Sequence, residues 1–165
     1  MMTLRFSAQE GGAPLEGVLT YVPLDHAFEY EATDPPDLYA RQGNAGAASL
    51  TRDTLQIVVG VERGCLLYVW GYYPLEGFAV TGLTAPPSTP GRVFATCSQA
   101  WDESVATRLP DEDWADFYDP ERRLFLISRR AGKADRHIRI AQGITLGLGG
   151  TELDEIWLEP RFEAD

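Results

Sequence analysis

The chain has 165 residues, of which 44% are hydrophobic, and it carries a formal net charge of −11 at pH 7. This length suits one domain, and the ordinary apolar share excludes extensive disorder. The negative charge argues against binding to free nucleic acid, because such binding depends on Lys and Arg releasing counterions from phosphates. A basic protein is the more natural macromolecular partner, although many acidic proteins owe their charge to solubility alone.

The opening residues lack the apolar run of a secretory signal, and no stretch of about 18 consecutive apolar residues occurs. We therefore expect a cytoplasmic protein with no membrane partner. The two cysteines, Cys65 and Cys97, do not form a Cys-x-x-Cys pair. This favours two buried thiols over a redox or metal site, and no cofactor is expected.

The first 50 residues predict short strands, one helical turn and a loop. Alternation predicts strands at residues 3–7 and 17–22. The segment Asp34-Pro35-Pro36-Asp37 combines a polar cap with early prolines, so we expect it to open a helical turn. The small residues at positions 43–48 predict a flexible surface loop.

The middle of the chain predicts further strands and one helix. Residues 55–61 and 65–70 are its most apolar, β-branched segments, and they predict a hairpin that is buried on both faces. Another strand pair is expected at residues 77–82 and 92–96. Residues 98–108 predict a helix, because Ser98 can cap it and two apolar residues lie four positions apart.

Together these elements predict a mainly β fold with one or two short helices. Strands at this spacing are typical of an antiparallel sandwich, an open barrel or a curved sheet. We expect residues 1–165 to form a single compact domain. Within it, two β sub-sheets, residues 1–96 and 117–160, are a further possibility, joined by a helical and acidic segment at 98–116.

The C-terminal third carries a family resemblance. The turn Tyr118-Asp119-Pro120-Glu121 is followed by two pairs of apolar strands, residues 124–127 with 138–140 and residues 144–148 with 156–158. With this turn and these strand pairs, residues 117–158 resemble a small bacterial family of β-meander domains of unknown function. The resemblance implies a β meander and no activity that can be transferred to individual residues.

No catalytic or metal-binding constellation is evident. The two histidines, His26 and His137, are far apart in sequence, and no nucleophile elbow occurs. Residues 147–150 are rich in glycine but lack the Lys and Ser/Thr of a phosphate-binding loop, so they predict a hairpin turn. We therefore expect neither catalytic residues nor metal ligands.

An acidic and aromatic segment is the leading candidate for a binding surface. Residues 102–121 contain eight carboxylates and one arginine, with aromatic residues between them. Aromatic side chains anchor interfaces, while surrounding charge steers a cationic partner. The alternative is a solvated loop whose aromatics face the core. The candidate partner-binding residues are Trp101, Asp111, Glu112, Asp113, Trp114, Asp116 and Tyr118.

A second candidate site lies at the end of the most apolar strand. There Trp70-Gly71-Tyr72-Tyr73 places three large aromatics in succession, and such a group can line a pocket or fill a sheet core. The candidate pocket residues are His26, Trp70, Tyr72, Tyr73 and Cys97.

These observations favour a non-catalytic, acidic protein-binding module that sequesters a basic protein, in the manner of an immunity protein or antitoxin. The alternative is a β domain that binds a small molecule or peptide near Trp70, either as an enzyme or as a scaffold subunit of a biosynthetic pathway. Residues 122–139 are strongly basic, and the resulting charge dipole also leaves homodimerisation open.

Overall fold

The computed structural model describes residues 2–110 and 113–164. These residues form short strands, one α-helix and two 3₁₀ turns at Pro23–Asp25 and Leu75–Gly77. The elements in chain order are β1 (Leu4–Glu10), β2 (Gly17–Val22), β3 (Ala27–Ala32), α1 (Pro35–Gln42), β4 (Ala47–Arg52), β5 (Leu55–Gly60), β6 (Cys65–Tyr72), β7 (Ala79–Val80), β8 (Thr89–Cys97), β9 (Thr107–Arg108), β10 (Trp114–Asp119), β11 (Leu124–Arg129), β12 (Arg136–Ala141), β13 (Ile144–Gly149), β14 (Glu152–Leu158) and β15 (Arg161–Phe162).

The strands join into one connected sheet that curls into an open half-barrel. Its longest path runs β15-β2-β3-β6-β8-β12-β13-β14-β11-β10-β7, while β1 adds to β8, and β5, β4 and β9 extend from β6. Two long strands, β6 and β8, each pair with different neighbours along their length. Thus β8 pairs with β12 at Thr89 and Pro90 and with β1 from Gly91 onward. The predicted mainly β, curved-sheet fold with a short helix is confirmed.

The C-terminal strands form a meander with one strand displaced. β12, β13 and β14 are consecutive antiparallel neighbours, as the sequence predicted. However, β11 does not pair with β12, which follows it in sequence. It lies between β10 and β14 instead. Grouping residues 124–127 with 138–140 as one strand pair was therefore wrong, since β14 returns to occupy the position beside β11.

The main core fills the concave face of this sheet and draws on strands from β1 to β14. At its centre Phe125 is fully buried and packs edge-on against Phe28 and Phe78, with ring centroids 5.0 and 5.2 Å away. The ring of Tyr118 stacks on Phe125 at 4.5 Å, and Phe162 approaches from β15. Aromatic pairs in such geometries contribute beyond their buried area, so this cluster anchors both halves of the sheet.

Helix α1 covers part of the outer face. Asp34 caps it by accepting a hydrogen bond from the Asp37 N–H at 3.2 Å, as predicted, and prolines occupy its first turn. Leu38 packs onto a small outer cluster formed by Val58, Cys65 and Leu67. Within residues 2–110 and 113–164, no helix is long and apolar enough to cross a membrane.

The helix predicted at residues 98–108 is wrong. Its intended cap, Ser98, instead accepts a hydrogen bond from the Thr3 N–H through Oγ. Asp102 accepts bonds from the N–H and hydroxyl of Ser104, which stabilises a local turn in place of a helix. Val105 remains 60% exposed, so the apolar spacing does not produce a buried face. The segment ends in β9, which pairs with β4 in parallel.

Two further expectations for the first hundred residues change, and the structure adds one strand. The loop expected at residues 43–48 ends early, because β4 begins at Ala47 and pairs with β5. β3 is a strand that the sequence did not predict. Residues 77–82 and 92–96 do not pair with each other, since β7 pairs with β10 and β8 pairs mainly with β1. The pairings of β7 with β10 and of β8 with β1 join segments that are distant in sequence.

Candidate functional site

The C-terminal half of β6 presents large aromatic side chains to solvent. Alternation along the strand buries Val69 and leaves Trp70 42% and Tyr72 52% exposed. Gly71 between them lies at φ 124°, and an added Cβ there would meet the Thr54 carbonyl oxygen at 2.8 Å. Exposed large aromatics that are contiguous on one face are characteristic of binding surfaces.

The neighbouring strand β3 adds acidic residues to the same region. Its alternation buries Phe28 in the core and exposes Glu29, while Glu31 is also exposed. Only two residue pairs join β3 to β6, namely Ala27↔Tyr72 and Phe28↔Gly71. They lie at the start of β3 and at the end of β6. Beyond them Tyr30 stacks on Tyr68, with ring centroids 5.0 Å apart.

These side chains define an acidic aromatic face, which consists of Glu29, Tyr30, Glu31, Tyr68, Trp70 and Tyr72. It contains a cleft of about 620 Å³, lined by Val18, Thr20, Glu29, Tyr30, Glu31, Tyr68, Trp70 and Arg161. Glu29 and Glu31 form no ion pair with any residue in the described part of the chain. Arg161 on β15 pairs with Thr20 on β2 and contributes a positive charge to the lining of the cleft.

Tyr30 contributes an uncharged ring to this face. Its hydroxyl donates a hydrogen bond to the Leu15 carbonyl oxygen at 3.2 Å. Burial raises the pKa of Tyr30 to about 12, and the nearby Arg41 only partly opposes that rise. The negative charge of the face therefore comes from Glu29 and Glu31 alone.

A second cleft of about 420 Å³ lies where β6 ends, beside Tyr72 and Tyr73. The Tyr73 hydroxyl donates to both oxygens of Asp116, at 3.0 and 3.1 Å. Burial raises the pKa of Asp116, whereas the hydrogen bond from Tyr73 and the charge of Arg52 lower it. Burial, followed by the Asp116 charge, also raises the pKa of Tyr73, which therefore remains a phenol that donates to the carboxyl group.

The structure brings four of the five predicted pocket residues together. Trp70 and Tyr72 point outward from β6, and the His26 ring contacts Tyr72 edge-on at 6.2 Å. Tyr73 follows them, and its N–H donates to the His26 carbonyl oxygen at 2.7 Å. Cys97 is not part of this group. The antiparallel pairing of β6 and β8 places it beyond the opposite, N-terminal end of β6.

The predicted partner-binding aromatics largely face inward. Trp114 is only 8% exposed, Tyr118 stacks within the core, and Trp101 packs against the core while half-buried. Asp113 is exposed and pairs with Arg130 at 3.0 Å, whereas Asp116 points toward Tyr73. Asp111 and Glu112 lie outside the described residues. The aromatic rings of this segment thus offer little free area to a partner.

Sequence reasoning missed four members of the acidic aromatic face, namely Glu29, Tyr30 and Glu31 on β3 and Tyr68 on β6. The available signal was the alternation Phe28-Glu29-Tyr30-Glu31, which predicts a half-buried strand with acidic residues on its outer side. The stack of Tyr30 on Tyr68 has no counterpart in sequence, because it depends on how β3 departs from β6.

Neither a search for metal-binding clusters nor comparison with known proteins assigns a function to this site. Within residues 2–110 and 113–164, no group of three or more His, Cys, Asp or Glu side chains converges to hold a metal ion. No protein-family model matches the chain, and it matches no curated protein. The candidate site therefore depends on its own geometry and charge.

Proposed function

We propose that this protein is a non-catalytic binding module that holds a basic segment of a partner protein on its acidic aromatic face. The observation that carries the proposal is the presence of two exposed aromatics, Trp70 and Tyr72, beside the carboxylates of Glu29 and Glu31. Neither carboxylate has an ion-pair partner among the residues that the structure describes. Sequestration of that partner, as by an immunity protein or antitoxin, is the biological form of this activity that we favour.

The chemistry of the face matches Lys and Arg side chains. A cation above an indole or phenol ring is attracted to its π face, by about 0.5–1 kcal/mol where the contact is exposed and more where it is desolvated. Carboxylates at the rim then pair with the same cation or its neighbour. The net charge of −11 adds long-range attraction, which accelerates association with a basic partner at low ionic strength.

The first test is capture from the native cell extract with elution in salt steps. We expect the wild-type chain to retain a basic protein at low ionic strength and release it at high ionic strength. Trp70→Ala should weaken binding of that purified protein by roughly 30-fold, the size of a hot-spot loss of about 2 kcal/mol. Tyr39→Ala is the matched control, because Tyr39 is an exposed aromatic on α1.

A second pair of variants separates local from general electrostatics. Glu29→Gln combined with Glu31→Gln removes two negative charges from the face. Glu121→Gln combined with Glu152→Gln removes the same charge from exposed positions elsewhere. The first pair should weaken binding at least tenfold and flatten its salt dependence, roughly the effect expected for close charge pairs. Equal losses in both pairs, or no effect of Trp70→Ala, would rule out this face as the docking surface.

A further inference from the structure

Three arginines, Arg41, Arg63 and Arg92, lie near Cys65 on this acidic chain. Burial raises the pKa of the Cys65 thiol, while Arg92, Arg41 and Arg63 all oppose the rise, so their charges converge on the same region. Arg63 stabilises the end of α1, because its Nη2 donates a hydrogen bond to the carbonyl oxygen of Ala40 at 2.7 Å. The other two arginines line a common cleft of about 470 Å³.

Arg41 is held rigidly in this cleft. It is 5% exposed, and its Nε and Nη2 both lie 3.0 Å from Asp37 Oδ2. Nη2 also donates to the Ala13 carbonyl oxygen at 2.8 Å, which ties α1 to the loop after β1. Its remaining nitrogen, Nη1, makes no hydrogen bond within the described part of the chain, although the residue lines the cleft.

Arg92 and the loop after β1 complete the cleft. Arg92 forms no ion pair among the described residues. Gly11 and Gly12 have φ values of 109° and 77°, and an added Cβ at either would meet no atom within 4 Å. The N–H groups of Gly12 and Ala13 have no hydrogen-bond acceptor in the described part of the chain. Backbone N–H groups in such turns are suited to binding anions.

We propose that this cleft binds a phosphate group, with Arg41 and Arg92 as its charged ligands and the Gly12 and Ala13 N–H groups as further donors. Arginine suits this role because its planar fork of donors matches phosphate oxygens and keeps its charge when buried. A tetrahedral anion offers enough oxygens for both guanidinium groups and the loop. Asp37 fixes the orientation of Arg41 through its hydrogen bonds, and Glu10 also lines the cleft.

The test is an NMR titration of the full chain at constant ionic strength with inorganic phosphate, phosphoserine and acetate. We expect saturable shifts of the Gly12 and Ala13 amides with both phosphate probes, and at least tenfold weaker binding of acetate. Tighter binding of phosphoserine than of inorganic phosphate would identify an ester as the source, and the reverse order would identify the free ion. Shifts without saturation, or acetate binding as tight as phosphate, would overturn the proposal.

Arg92→Gln is the diagnostic variant, since the Arg92 side chain has no ion-pair or hydrogen-bond partner within residues 2–110 and 113–164 whose loss would disturb the fold. It should weaken phosphate binding at least tenfold and leave the amide spectrum outside the cleft unchanged. Arg136→Gln is the matched control, because it removes the same charge from an exposed position on β12, and it should change binding less than twofold. Equal weakening by both variants would show general attraction in place of a site. Neither variant touches the acidic aromatic face, so the two proposals are tested independently.

Discussion

At the scale of single residues, the pair Tyr73 and Asp116 shows how burial sets chemistry near the end of β6. Asp116 is held in a partly buried position where its charged form loses hydration, and burial is the largest influence on its pKa. The phenol of Tyr73 and the positive charge of Arg52 compensate only in part. The carboxyl group therefore gains a proton more readily in the folded chain than in the unfolded chain.

This shift predicts a specific pH dependence for Asp116→Asn. A raised folded pKa contributes stability below the unfolded pKa of about 3.9, and that contribution is lost as pH rises through the folded pKa. The stability of the wild type relative to the variant should therefore fall as the pH rises above about 4, the unfolded pKa. Urea unfolding of both proteins across this range measures the difference. A difference that grows with pH would show that attraction to Arg52 outweighs burial.

At the scale of elements, a buried carboxylate on β14 fixes the loop between β11 and β12. Asp154 is 2% exposed and accepts hydrogen bonds from Arg129 at 2.9 Å through Nε and 2.6 Å through Nη2. Its other oxygen accepts from the Lys133 N–H at 3.1 Å. Gly132 and Gly149 permit this approach, since an added Cβ at either would lie within 3.0 Å of the Asp154 side chain.

Asp154→Ala should lower the free energy of unfolding by about 3–5 kcal/mol, the usual cost of breaking a buried ion pair. Asp113→Ala is the matched control, because it removes the same charge from the exposed pair with Arg130. That change should cost no more than about 1 kcal/mol. Denaturant titrations of the two variants measure the difference. Similar costs would mean that Asp154 does not organise the loop.

At the scale of the whole molecule, the strands share one main core although they come from distant parts of the chain. Phe125 contacts aromatic rings from β2, β3, β10 and β15, as well as Phe78 before β7. A residue with such neighbours couples the first and last thirds of the sequence. Loss of its ring therefore affects the entire sheet.

Phe125→Ala should destabilise the protein by about 3–5 kcal/mol, because it removes a fully buried ring from this cluster. Unfolding should remain a single transition, since the sheet shares its core. Far-ultraviolet circular dichroism and tryptophan fluorescence should report the same midpoint in urea. Separate midpoints would indicate that the N-terminal and C-terminal strands unfold independently.

Much of the fold could be predicted from local patterns. The hairpin of β5 and β6, the strands of the C-terminal meander and the start of α1 each carry their signal within a few residues. What could not be predicted depends on distant partners: β9 pairs with β4, β7 with β10 and β15 with β2, all in parallel and over two residues. Pairings this short leave no pattern of their own.

Some residues of the candidate site could likewise be predicted from local sequence, and others could not. Trp70 and Tyr72 could be identified from sequence, because large aromatics beside a glycine at a strand end are conspicuous. Their acidic neighbours depended on recognising β3 as a strand. The inward orientation of Trp114 could not be predicted, since the acidic residues around it are compatible with either a surface or a core position. The cleft of Arg41 and Arg92 could not be predicted from sequence, because it depends on the contact between α1 and the loop after β1.

The parallel pairing of β15 with β2 also constrains when the protein can finish folding. Arg161 and Phe162 lie beside Thr20 and Tyr21, and the Phe162 ring packs 5.5 Å from that of Tyr21. During synthesis, β2 emerges from the ribosome long before its partner exists. Native pairings between such distant segments carry a large loop-closure cost and slow the folding reaction. The nascent chain must therefore keep the edge of β2 and part of its aromatic core open until β15 has emerged.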